Sequence, residues 1–209
     1  MSLGGCLLDT NVLFGQILRD TVLYLADQRL GLYTPYWSDR ILNELEFNLF
    51  DQGKMTRAEA HYLIELMRKH YPDALVTPAP ALIDSMTNKE NDRHVLAAAV
   101  EAGAAILVTF DLGDFGAVDC EPYGIEVMEP GFFLRALYVT SPDDFVSSLV
   151  GQVARYENEP MTMRGLLETL RKQAGAVVYH LEEDFSIDRL ETMVDDRRAE
   201  IREEEHERR

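Results

Sequence analysis

Residues 91–111 read NDRHVLAAAVEAGAAILVTFD. Asn91 or Asp92 is placed to cap a helix, Val95, Ala98, Ala99 and Ala102 recur on one helical face, and Gly103 supplies the stop. The apolar, β-rich run Ala105 to Phe110 follows at once and predicts a strand that ends at Asp111. A helix that hands directly to a short apolar strand is the αβ half of a βαβ unit, whose strand is covered on both faces. Near the start of the chain Cys6-Leu7-Leu8 leads into Asp9, a second apolar strand that ends on an acid.

Outward from this unit, strand and helix patterns alternate. After the first strand, Ile17, Leu18, Val22 and Leu25 mark a helix spanning Leu13 to Arg29, with Gly31 as its cap. Leu32 to Trp37 reads as a short strand, and Ser38 caps a helix whose apolar face is Ile41, Leu42, Leu45 and Leu49, with Glu44 beside that stripe. Thr56 and Glu59 form a capping box for the next helix, which runs through Leu63, Ile64 and Met67. Ala74 to Val76 predicts a strand, Thr77 to Asn91 mostly loop, Pro122 to Val127 another strand, and Phe132 to Leu137 a helix. The alternation predicts an α/β fold with a mainly parallel sheet flanked by helices over residues 1–138.

From residue 139 the strand pattern stops. Ser141-Pro142-Asp143-Asp144 opens a helix carrying Phe145, Leu149 and Val153, and Leu166, Leu167 and Leu170 mark another after Pro160. Residues 139–209 therefore read as an all-α C-terminal extension. Its last segment, Ser186 to Arg209, has only a thin apolar line, Ile187, Leu190, Val194 and Ile201, in highly charged sequence. That line reads as a solvated, fraying helix or as one that docks on a partner.

Composition excludes several classes. The two cysteines give no disulfide framework and read as reduced thiols. The beginning of the chain shows no export signal, and the longest apolar stretch, Ala97 to Phe110, is broken by Glu101 and too short to span a bilayer, so a cytoplasmic protein with no membrane association is expected. The formal charge of -17 argues against simple phosphate binding, which rests on Lys and Arg. From Met1 to Tyr138 there are 10 basic against 20 acidic residues, and from His180 onward 6 against 12, so the acidity is spread over the chain. A cation held by carboxylates, or a basic partner protein, would offset it locally.

Asp9, Glu44, Asp92, Asp111 and Asp114 are the candidate functional acids. In a parallel sheet the crevice beyond the carboxyl ends of the strands is where ligands bind, and Asp9 and Asp111 each end a strand. Carboxylate oxygens suit hard cations such as Mg²⁺ or Mn²⁺. The chain has no zinc-type Cys and His spacing, no Gly-rich phosphate loop and no Gly-x-Ser-x-Gly elbow. The bland readings stand beside these: Asp92 as a helix cap, Glu44 as a helix-forming surface residue, His94 as a helix-face residue. Asn11 is placed to orient Asp9.

The segments Leu7-Leu8-Asp9-Thr10-Asn11-Val12-Leu13, Ile41-Leu42-Asn43-Glu44-Leu45, Asn91-Asp92-Arg93-His94-Val95-Leu96-Ala97-Ala98-Ala99 and Val108-Thr109-Phe110-Asp111-Leu112-Gly113-Asp114-Phe115, in that order, resemble the PIN domain of ribonucleases. They look most like the VapC-type toxins of bacterial and archaeal toxin–antitoxin modules, over about Gly5 to Leu134, and the stretch after Ser141 looks like a helical extension carried by one subgroup. The resemblance implies a PIN-like, Rossmann-like sheet and an endoribonuclease dependent on Mg²⁺ or Mn²⁺. Asp9, Glu44 and Asp92 would be the first acids of its site, and Asp111 or Asp114 would complete the set. It also implies an RNA substrate, a cognate antitoxin and a possible homodimer. Two rivals remain at this stage. An aspartyl-nucleophile phosphohydrolase lacks its second Asp, since that position is Asn11. A noncatalytic RNA-binding or protein-interaction module with a degenerate site would fit the acidity but not the retention of all the acids.

Overall fold

A computed structural model of the chain describes residues 3–26, 31–156 and 161–207. The chain forms two compact units, one of Ser2–Arg19 with Tyr33–Pro130, the other of Asp20–Leu32 with Gly131–Arg209 and Met1.

The first unit carries a five-stranded, all-parallel sheet: β1 (Gly5–Leu8), β2 (Thr34–Ser38), β3 (Leu75–Val76), β4 (Ile106–Val108) and β5 (Glu126–Met128). Its order is β3-β2-β1-β4-β5. The chain thus builds outward from β1 to β3, then crosses back to add β4 on the other side of β1. Between β1 and β4 the direction of winding reverses, which makes this pair the switch point where open parallel sheets place their ligand crevice. Leu8 lies opposite Val108 in this pair, so Asp9 and Thr109 leave the sheet side by side.

The helices α3 (Asp39–Asp51), α4 (Arg57–His70) and α6 (Arg93–Glu101) follow the predicted patterns. Ile41, Leu42, Leu45 and Leu49 are buried, Ser38 Oγ accepts the Ile41 N–H at 3.3 Å, and Thr56 with Glu59 closes its capping box. In α6 His94 and the five residues after it are all buried, and the run of alanines lets neighbouring backbones approach closely. Gly103, at φ 60, makes the left-handed turn that ends this element.

Some expectations needed correction. The first helix begins directly after Asp9 and is broken at Gly15 into α1 (Thr10–Phe14) and α2 (Gln16–Ala26); the part expected to reach Arg29 lies outside the described residues. The stretch read as loop contains α5 (Pro80–Ser85), started by a proline whose missing N–H costs nothing at a first turn. Pro122 lies in a 3-10 turn, Glu121–Tyr123, preceded by α7 (Ala117–Cys120), so β5 begins only at Glu126.

The second unit is helical: the later part of α2 with α8 (Pro130–Thr140), α9 (Pro142–Ala154), α10 (Met163–Asp184) and α11 (Ile187–Glu207). Phe145, Leu149, Val153, Leu166, Leu170 and Val177 form its core. A Cβ at Gly131 would stand 3.3 Å from Ala174 Cα, where α10 departs from helical geometry. Thr21 Oγ1 donates to Gln152 at 3.0 Å and Tyr156 donates to Asp20 at 2.7 Å, tying α2 to α9 and the residues just beyond it. The terminal helix is not solvated throughout: Leu190 and Val194 are buried where α11 packs against α9 and α10, while Ile187 and Ile201 are half-buried. Pro160 lies outside the described residues. No helix among them is long and apolar enough to cross a membrane.

Candidate active site

Asp9 begins at the end of β1, 8% exposed, with its N–H bonded to Val108 O at 3.1 Å. One carboxylate oxygen accepts the Thr10 N–H at 2.7 Å, and the other accepts from Thr109 Oγ1 at 2.7 Å and Asn11 Nδ2 at 2.9 Å. Asn11 is itself fixed, because its Oδ1 accepts the Phe110 N–H at 3.2 Å. The same Asn11 amide lies 3.0 Å from Asp111 Oδ2, and Thr109 Oγ1 accepts the Asp111 N–H at 3.1 Å. Asp9 and Asp111 are therefore joined through Asn11 and Thr109, across the gap between β1 and β4.

Glu44 reaches the same region from the second turn of α3. Its carboxylate accepts from Thr10 Oγ1 at 3.3 Å, pairs with Arg40 Nε at 3.1 Å, and lies 3.3 Å from Nε2 of the buried His94. Asp92 stands at the N-cap position of α6 but makes no capping hydrogen bond with its side chain. Its carboxylate instead lies 3.8 Å from Lys89 Nζ, whose closer partner is Asp114 at 2.7 Å. Each of the two late acids is thus linked to a different early one, Asp111 to Asp9 and Asp114 to Asp92.

The electrostatics are those of an anionic crevice. Burial pushes the Asp9 carboxyl above its usual range, the hydrogen bonds from Thr109 and Thr10 oppose this, and Asp92 and Asp111 add to it. Asp92 is likewise raised, first by burial, then by Asp114, with Lys89 and His94 pulling the other way. Burial also acts on Glu44, but His94 and Arg40 outweigh it and hold Glu44 below its usual range. The donors in the crevice are hard oxygens under mutual repulsion, which fits a hard divalent cation. No group of three His, Cys, Asp or Glu among the described residues already stands as a ligand set. Mg²⁺ rarely requires one, since it keeps waters and shares its shell with substrate phosphate.

Residue patterns did not single out Arg40, Lys89 or a polar role for His94. Arg40 and Glu44 are four apart on one helix, the spacing of an ion pair, and His94 follows Asp92 by two residues; these were the available signals. Nothing local marks Lys89, whose contact with Asp114 spans 25 positions.

The family model described as PIN domain matches residues 6–113, more than half of the 209. A second, described as VapC50 C-terminal domain, matches residues 130–178, within the helical unit. The chain is 36% identical over 92 residues to the Mycobacterium tuberculosis protein named "Putative ribonuclease VapC50", a stretch that covers 44% of this chain and 54% of that relative. The chain thus spans about half the length of the curated relative it matches. With the parallel sheet and the acids at its switch point, these matches show that the chain belongs to the PIN domain family.

Proposed function

We propose that the protein is a metal-dependent endoribonuclease that hydrolyses RNA phosphodiester bonds, and that it is the toxin of a toxin–antitoxin pair acting in the cytoplasm. The observation that carries this reading is the network in which Asn11 and Thr109 join Asp9 to Asp111 across the β1–β4 crevice. Asp9, Asp92 and one or both of Asp111 and Asp114 would hold Mg²⁺ or Mn²⁺, with Glu44 beside them. When bound, such an ion polarises a phosphoryl oxygen and makes water nucleophilic near neutral pH. The chain's own part is positioning. Asn11 and Thr109 fix the Asp9 carboxylate, as positioning groups commonly do for a ligand. Glu44, kept ionised by Arg40 and His94, would accept a hydrogen bond from the attacking water and aim it at phosphorus. Arg40, with its side chain 55% exposed, and Lys89, 57% exposed, are the cations at this site that RNA phosphates could meet despite the overall charge.

RNA cleavage should require Mg²⁺ or Mn²⁺ and should fall to the metal-free level in folded Asp9→Asn and Asp92→Asn proteins. Cleavage that persists in both variants would sink the reading. Stoichiometric Mn²⁺ binding with no cleavage of any RNA would favour the noncatalytic module. A cognate antitoxin is proposed as the partner that silences the site, and the product of a neighbouring gene, co-expressed with this chain, should suppress the same cleavage. A homodimer is proposed as the working assembly.

A further inference from the structure

We propose that Lys89 is a resident counter-cation of the carboxylate crevice, one that neutralises Asp92 and Asp114 in the metal-free protein and is displaced when a divalent ion binds. This inference rests on the metal-site reading above and adds a competitor to it. Lys89 Nζ lies 2.7 Å from Asp114 Oδ2 and 3.8 Å from Asp92 Oδ2, so one ammonium bridges two acids that otherwise repel each other.

The segment that carries Lys89 is anchored while its tip is free. Asn88 is buried and donates to Asp114 O at 3.4 Å, its own carbonyl accepts from Arg93 Nε at 3.3 Å, and the Asp92 N–H bonds to Lys89 O at 2.9 Å. The Lys89 side chain is 57% exposed, so the ammonium can leave by rotating its own bonds into water with no change in backbone. An exposed ion pair holds it only weakly. A divalent ion brings twice the charge and accepts several oxygens at once, which a single ammonium cannot match. Wild-type affinity for the ion is therefore lowered by the need to expel a charge of the same sign.

The test is Mn²⁺ titration by calorimetry and electron paramagnetic resonance, without RNA, on the full chain and on Lys89→Met and Lys89→Arg. Lys89→Met should bind Mn²⁺ about five-fold more tightly, the factor equivalent to the attraction between two unit charges roughly 4 Å apart in a water-like dielectric, here the ammonium–carboxylate pair that the ion no longer has to break. Lys89→Arg, which retains the charge, should stay close to wild type. In the metal-free state Lys89→Met should melt at lower temperature than wild type, and Mn²⁺ should raise its melting temperature by more. Unchanged or weaker binding by Lys89→Met overturns the proposal, and so does an equal gain in Lys89→Arg. Asp9→Asn separates this failure from a broader one: if wild type and Asp9→Asn bind Mn²⁺ alike, the metal site itself is wrong.

Discussion

Asp92 shows how a single residue's bland reading is tested by geometry. An Asp at the start of a helix ordinarily accepts an N–H from the first turn, yet Asp92 leaves α6 without that bond and faces Asp114, Asp111 and Lys89. Asp9 is nearer to the ordinary cap, since it accepts the Thr10 N–H, but its other oxygen serves Asn11 and Thr109. Both carboxyls are raised above the usual aspartate range. A raised carboxyl contributes stability that is fully present below its unfolded pKa and is lost as pH rises through the folded one. Once the pH has risen past that range, both carry charge in repulsive company without metal, and a bound cation relieves them. The increase in melting temperature caused by saturating Mn²⁺ should therefore shrink as pH falls from neutral toward the raised carboxyl range. Glu44 works in the opposite sense, its contribution being lost only as pH falls through its lowered range, beneath that of an ordinary glutamate. Thermal scans with and without Mn²⁺ across that interval check this, and a pH-independent gain would contradict it.

At the scale of elements, α3 is the clearest link between local sequence and site. Ser38 caps it at the end of β2, four apolar side chains fix its rotation, and that rotation directs Glu44 toward Thr10 and His94. Ser38→Ala should cost about 1 kcal/mol, the usual penalty for a lost cap, measured by urea unfolding. Because the cap lies two turns from Glu44, Mn²⁺ affinity should fall with it only slightly. The short elements were less legible. Pro80 read as part of a loop and Pro122 as the start of a strand, although a proline fits a first helical turn or a 3-10 turn. Strand ends predicted from apolar runs extended too far, since Thr109 and Phe110 continue the β-prone pattern while turning their backbones toward the crevice.

At the scale of the molecule, the compact units do not divide the chain at a single point. Residues 20–32 group with Gly131–Arg209, and α2 presents Thr21 to Gln152 and Asp20 to Tyr156. We propose that the extension from residue 139 is a functional segment but not a separate folding unit. A chain truncated after Tyr138 should then lose cooperative unfolding and aggregate, as α2 would expose Val22 and Leu25, both fully buried in the intact protein. Circular dichroism melting and light scattering on the truncated chain would decide, and a sharp, reversible transition would reject the coupling. The charge of -17 keeps its meaning at this scale: an RNA would have to approach through the few cations at the crevice.

The alternation of strands with the longer helices, the candidate acids and the family resemblance were legible in the sequence, because periodicity, caps and strand-ending carboxylates are local patterns. The return of α2 to the C-terminal helices, the burial of Leu190 and Val194, the freedom of Asp92 from its cap and the place of Lys89 between two acids were not. Each depends on groups brought together from distant positions, and such contacts leave no periodic mark in the chain. Only the crossing of the chain back over β1 brought these carboxylates into one another's field, where burial and mutual repulsion raise Asp9 and Asp92.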